Sequence, residues 1–165
     1  MTIRLVLVSL LVCYFAPAIR ADSPLPPPKR HEVESPSKKY VATIDPTRGV
    51  SLRAAGSRKT LWKSPKVWSR TAFLADDGEH FVTGHSELIP REYTTNLVLI
   101  TFWHKDKKIR DLTLGEIIPN TNVLVRTASH FRWGGIHGIT DGKLTVKPCD
   151  NQEVKYDIAT GKVSK

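Results

Sequence analysis

"FLADDGEHFVTG", Phe73–Gly84, carries the clearest turn signal in the chain. Two short, strand-prone runs flank Asp76, Asp77 and Gly78. Asp-Gly between such runs is the strongest short-range hairpin signal, because glycine accepts the positive φ of a tight turn. The two aspartates also invite a cation reading. A calcium loop needs oxygen ligands at alternate positions and a closing glutamate. "DDGEH" offers two adjacent acids and no such ladder, so the stretch reads as a turn.

The motif is echoed downstream. "GITDGKLTVK", Gly138–Lys147, repeats the order strand, Asp-Gly, charged residue, strand, and "DIATGKV", Asp157–Val163, is a weaker copy with Thr-Gly. Around these lie further short strand signals: "YVATI" from Tyr40, "VSLRA" from Val50, "IRDLTL" from Ile109, "VLVRTA" from Val123, "HFRWG" from His130 and "VKYDI" from Val154. "NLVLITFW", Asn96–Trp103, is apolar or β-branched almost throughout, the pattern of a strand buried on both faces. Short strands at regular spacing, separated by Gly, Asp and Asn, predict an all-β antiparallel meander of repeated hairpins. One helical turn is expected at "TLGEIIP", where Thr113 and Glu116 stand in capping-box positions and Pro119 stops the turn.

"LWKSP", "RTAFLADDGEHFVTG" and "NLVLITFWHKDKKIRDLTL", with the closing "YDIATGKV", resemble blades of secreted β-propeller-like proteins of the WD40 or PQQ-like kind. The chain departs from them in having no Trp-Asp dipeptide at a strand end. At about 40–45 residues per blade, the length left after the N-terminal region corresponds to roughly three blades, fewer than a closed ring uses. The resemblance therefore implies an open or partial propeller-like sheet, the alternative being a two-sheet β-sandwich built from the same hairpins. Either would leave sheet edges for pairing with another chain.

The N-terminus reads as targeting rather than fold. "MTIR" carries one positive charge, Leu5–Ala16 is an apolar run, and the small residues of "PAIRA" follow. This is the order of a secretory signal peptide over residues 1–21, with cleavage favoured after Ala21 over Ala18. The run is short for a membrane span of about 20 apolar residues; an uncleaved anchor is the alternative. A lipoprotein site at Cys13 is disfavoured by the bulky Val12 before it. Cleavage leaves Cys149 as a lone cysteine, which reads as a small buried apolar residue or a free thiol. It also removes Arg4 and Arg20, leaving 23 basic against 16 acidic residues and a net charge of +7. Residues 22–39 hold five prolines and many charges, and read as an extended, disordered tether ahead of a domain spanning 40–165.

No catalytic motif is present: the chain has no G-x-S-x-G, P-loop or H-E-x-x-H. The acids Glu79, Glu87, Glu92 and Glu116 are the candidates for a carboxylate pair of the glycosidase kind. His31, His80, His85, His104, His130 and His137 have no zinc-motif spacing, so neither a metal nor a cofactor is expected. "HFRWGGIHG" is the most suggestive ligand patch. Trp133 would offer an aromatic face, Arg132 a guanidinium for a carboxylate or phosphate, and His130 and His137 would flank them. The competing reading is a bulged strand with a core tryptophan, since glycines within strands mark bulges. Basic residues cluster at Arg58, Lys59, Lys63, Lys66 and Arg70, and again at Lys105, Lys107, Lys108 and Arg110. Their charge favours an anionic surface or a protein partner, with export arguing against nucleic acid. The expected function is an exported, non-enzymatic binding or interaction module. The alternatives are a small secreted glycan-acting enzyme and an assembly subunit pairing through its sheet edges.

Overall fold

A computed structural model describes residues 26–150 and 152–164. The segment read as a signal peptide lies outside the described residues. The described residues form four antiparallel sheets. The first contains β1 (His31–Glu34), β2 (Tyr40–Asp45), β3 (Gly49–Ala54) and β4 (Thr60–Ser64) in chain order. The second contains β5 (Thr71–Leu74), β6 (His80–Gly84), β8 (Val98–His104) and β9 (Lys107–Thr113). Between β6 and β8 the chain leaves this sheet to form β7 (Leu88–Pro90), which pairs with β11 (His130–Arg132), itself paired with β10 (Val125–Arg126). The last sheet contains β12 (Gly134–Thr140), β13 (Lys143–Pro148) and β14 (Val154–Asp157). No sheet closes into a barrel: this is an open, all-β meander of hairpins.

Alternation along the strands shows how the sheets stack. On the second sheet, Ala72, Leu74, Phe81 and Trp103 pack toward the first sheet's Ala42, Ile44, Val50 and Leu52. Phe73, Val82, Ile100, Phe102 and Leu112 pack the other way, with Ile139, Leu144, Val146 and Tyr156 of the last sheet. The second sheet is thus the middle layer, apolar on both faces, as expected for "NLVLITFW". Each large apolar side chain buried there contributes about 1.5–3 kcal/mol. The two outer layers bury one face each and turn Thr43, Ser51 and Lys63, or Thr145 and Lys155, away from it.

"DDG" is the corner of the β5–β6 hairpin, with Leu74 opposite Phe81. Asp77 Oδ1 accepts the amides of Glu79 and His80 at 2.8 and 2.9 Å. Asp76 Oδ1 accepts the Ser37 amide at 2.7 Å, and the Trp62 indole donates to the Gly78 carbonyl at 2.7 Å. The corner therefore also ties the middle sheet to the first one. The expected capped turn is α1 (Leu114–Ile117), with both halves of the capping box between Thr113 and Glu116 present.

Within the stretch 22–39, which the sequence reads as a disordered tether, His31–Glu34 is instead a strand. It pairs with β2 over the full register from His31–Ile44 to Glu34–Val41. "HEVE" has only one aliphatic residue, so composition hid it; alternation puts Val33 against the core and both glutamates outside.

Candidate functional site

Of the four residues singled out in "HFRWGGIHG", Trp133 is turned into the core and the other three lie at or near the surface. Trp133 is fully buried in the main core, and its indole donates to the Ser86 carbonyl at 2.6 Å. Its backbone continues the chain from β11 into β12, accepting from the Cys149 amide and donating to the Glu87 carbonyl. An aromatic face committed to a core offers none to a ligand. Arg132 is exposed, and His130 is half-buried beside Ser129, whose hydroxyl lies 2.8 Å from its Nδ1. His137 is exposed at the β12 bulge between Ile136 and Gly138. The glycines accordingly mark a bulge and a strand junction.

Two of the four candidate carboxylates, Glu79 and Glu116, are engaged structurally. Glu79 bridges Lys105 at 2.8 Å and His104 at 3.1 Å, and the Lys105 contact is the main cause holding its carboxyl below the usual range. Glu116 is likewise lowered, first by the Thr113 amide and then by Arg110. A glycosidase general acid requires the opposite shift. Among the described residues, no group of three or more His, Cys, Asp or Glu side chains is placed to hold a metal. The Cys149 thiol donates to the Val123 carbonyl at 3.2 Å, and burial pushes its pKa up. A thiol so placed is a poor nucleophile.

The site that does assemble lies on the outer face of the first sheet. Register places Glu32, Thr43, Ser51 and Lys63 in one row across β1 to β4, with Arg53 opposite Thr60 alongside. Here a groove of about 470 Å³ is lined by Arg30, Thr43, Asp45, Arg48, Gly49, Ser51, Thr60 and Lys63. Its floor is hydroxyl-rich and its rim cationic. Glu32 is spent within the sheet, accepting from the Thr43 hydroxyl at 3.0 Å and pairing with Arg53 at 3.2 Å. Asp45 is spent in its own turn, where Oδ1 accepts the Thr47 hydroxyl and the amides of Thr47 and Arg48. The Thr47 hydroxyl leads the causes that hold Asp45 below the usual carboxylate range, so it stays ionised as a turn former. Arg30, Arg48 and Lys63 form no ion pair among the described residues.

In the sequence Lys63 stands out only as part of a basic cluster, and the groove is not visible. A usable signal was present. "DPTRG" and "DIATG" share Asp and Gly four residues apart, and in both an aspartate Oδ1 accepts a threonine hydroxyl, at 2.7 Å in each. Asp45 and Asp157 therefore mark equivalent corners. After the second, the chain returns to make an isolated antiparallel bridge between Val163 and Tyr156. Comparison of the chain with protein-family models and with curated proteins gives no match. The functional reading rests on this geometry.

Proposed function

We propose that the protein is an exported, non-enzymatic binding module that engages an anionic surface through the outer groove of its first sheet. The observation that carries this is the set of three cations, Arg30, Arg48 and Lys63, around a floor of Thr43, Ser51 and Thr60 hydroxyls. Three cations against one carboxylate, Asp45, leave net positive charge that a multivalent anion can take up, and hydroxyls supply further hydrogen bonds. The signal-like residues 1–21 and the net positive charge support export toward such a surface. We further read the stacked hairpin sheets as blades of the WD40 or PQQ-like kind, on the strength of the "DG" and "D-x-x-TG" corners.

The test is co-sedimentation of the chain from Asp22 onward with phosphatidylserine vesicles, against neutral phosphatidylcholine vesicles. Binding should be selective and should weaken with salt as screening shortens the range of the charges. Each basic side chain near an anionic membrane contributes about 1 kcal/mol. Replacing Arg30, Arg48 and Lys63 with glutamine together should lower affinity by roughly 100-fold. Equal sedimentation with both vesicle types would overturn the proposal.

A further inference from the structure

A second cavity lies where the first sheet's edge meets the chain entering β5. It has a volume of about 280 Å³ and is lined by Lys29, His31, Trp68 and Arg70. It is separate from the outer groove: alternation along β1 turns His31 toward the inner face with Val33, opposite Ile44 and Ala42. Two features set it apart. The His31 Nε2 and Trp68 Nε1 atoms are both buried and have no hydrogen-bond partner in the structure. A buried polar atom left without a partner costs roughly 1–3 kcal/mol, and such atoms are few in native proteins. Here two occur on residues that line one cavity, together with two cations and no acid.

One of the two cations, Arg70, is held in place. The Arg70 guanidinium lies over the Trp68 ring, 5.3 Å from its centroid, and one of its nitrogens donates to the Pro26 carbonyl. His31 Nδ1 lies 3.4 Å from the Lys29 carbonyl, on the opposite side of the ring from the unpartnered nitrogen. An indole N–H can only donate, as can guanidinium and ammonium groups. The missing partner is therefore an acceptor, and the surrounding charge makes it an anionic one.

We propose that this cavity binds a small oxyanion, phosphate or carboxylate, accepting from the Trp68 indole and charge-paired with Lys29 and Arg70. His31 supplies a further contact through Nε2. The site is independent of the outer groove and of the surface-binding role assigned to it.

Isothermal titration of the chain from Asp22 onward with inorganic phosphate and, separately, with acetate tests this. Anion at about 10 mM reveals even millimolar affinity. Saturable binding is expected for at least one probe, and the preferred probe identifies the ligand's acid group. Trp68→Phe keeps the ring and removes the donor, so it should weaken binding at least about 10-fold, the worth of a charge-assisted hydrogen bond. Arg70→Met should do the same. Binding by neither probe, or undiminished binding by a folded Trp68→Phe variant, would overturn the proposal. So would a crystal structure grown in phosphate with only water bridging His31 and Trp68.

Discussion

At Gly78 the backbone runs at φ +66°, and the Tyr40 ring lies 2.8 Å from where an added Cβ would stand. Both the conformation and the space exclude a side chain there. Gly78→Ala should therefore destabilise the domain by about 1–3 kcal/mol in urea unfolding. Beside it, Asp77 has two opposing influences. Burial raises its pKa, but the amides of His80 and Glu79 and the His80 side chain, 2.6 Å away, outweigh this and leave it lowered. A carboxyl lowered by folding stabilises the protein above its unfolded pKa, and that contribution is lost as pH falls through the folded value. Unfolding midpoints measured from neutral pH downward should fall through the acidic carboxylate range. Asp77→Asn should be less stable at neutral pH and should show a flatter acid limb. The turn identity of these residues was legible in the sequence because an Asp-Gly corner is a local signal. The ties to Ser37, Tyr40 and Trp62 were not, because they cross between sheets.

The elements divide in the same way. The hairpins around Gly78 and Gly142 and the capped turn α1 follow from local chemistry, and all three lie where the residues place them. β1 and β7 do not: "HEVE" and "LIP" are too short or too polar to signal a strand, and each forms because a neighbouring strand offers an edge. The role of β1 is open to a direct check. Deleting residues 22–34 should lower the thermal midpoint, because it uncovers the β2 edge and removes Val33 from the core; a passive tether would leave it unchanged. Trp133 shows how a ligand-like pattern can arise from an element junction. Between two sheets, the aromatic and its glycines serve the strand crossing from β11 to β12. Trp133→Phe should destabilise the domain by roughly 2 kcal/mol or more, through the lost bond to Ser86 and the space left behind.

On the scale of the whole molecule, two half-polar sheets enclose one buried on both faces. The polar outer face of the first sheet makes it a surface on which a further apolar layer would not pack, much as a polar capping repeat ends a repeat stack. That same face carries the groove. All-β architecture could be read from strand spacing, but the groove could not, because Arg30, Arg48 and Lys63 come from three separate segments. Sequence distance hides what strand register brings together. On this reading the face meets an anionic surface. Amide hydrogen exchange of the chain from Asp22 onward, with and without phosphatidylserine vesicles, tests it most directly. Added protection is expected at residues 28–32, the Asp45–Gly49 turn and β4, with none on β12–β14. Protection centred on β12–β14, or no change anywhere under conditions where the protein co-sediments, would contradict it.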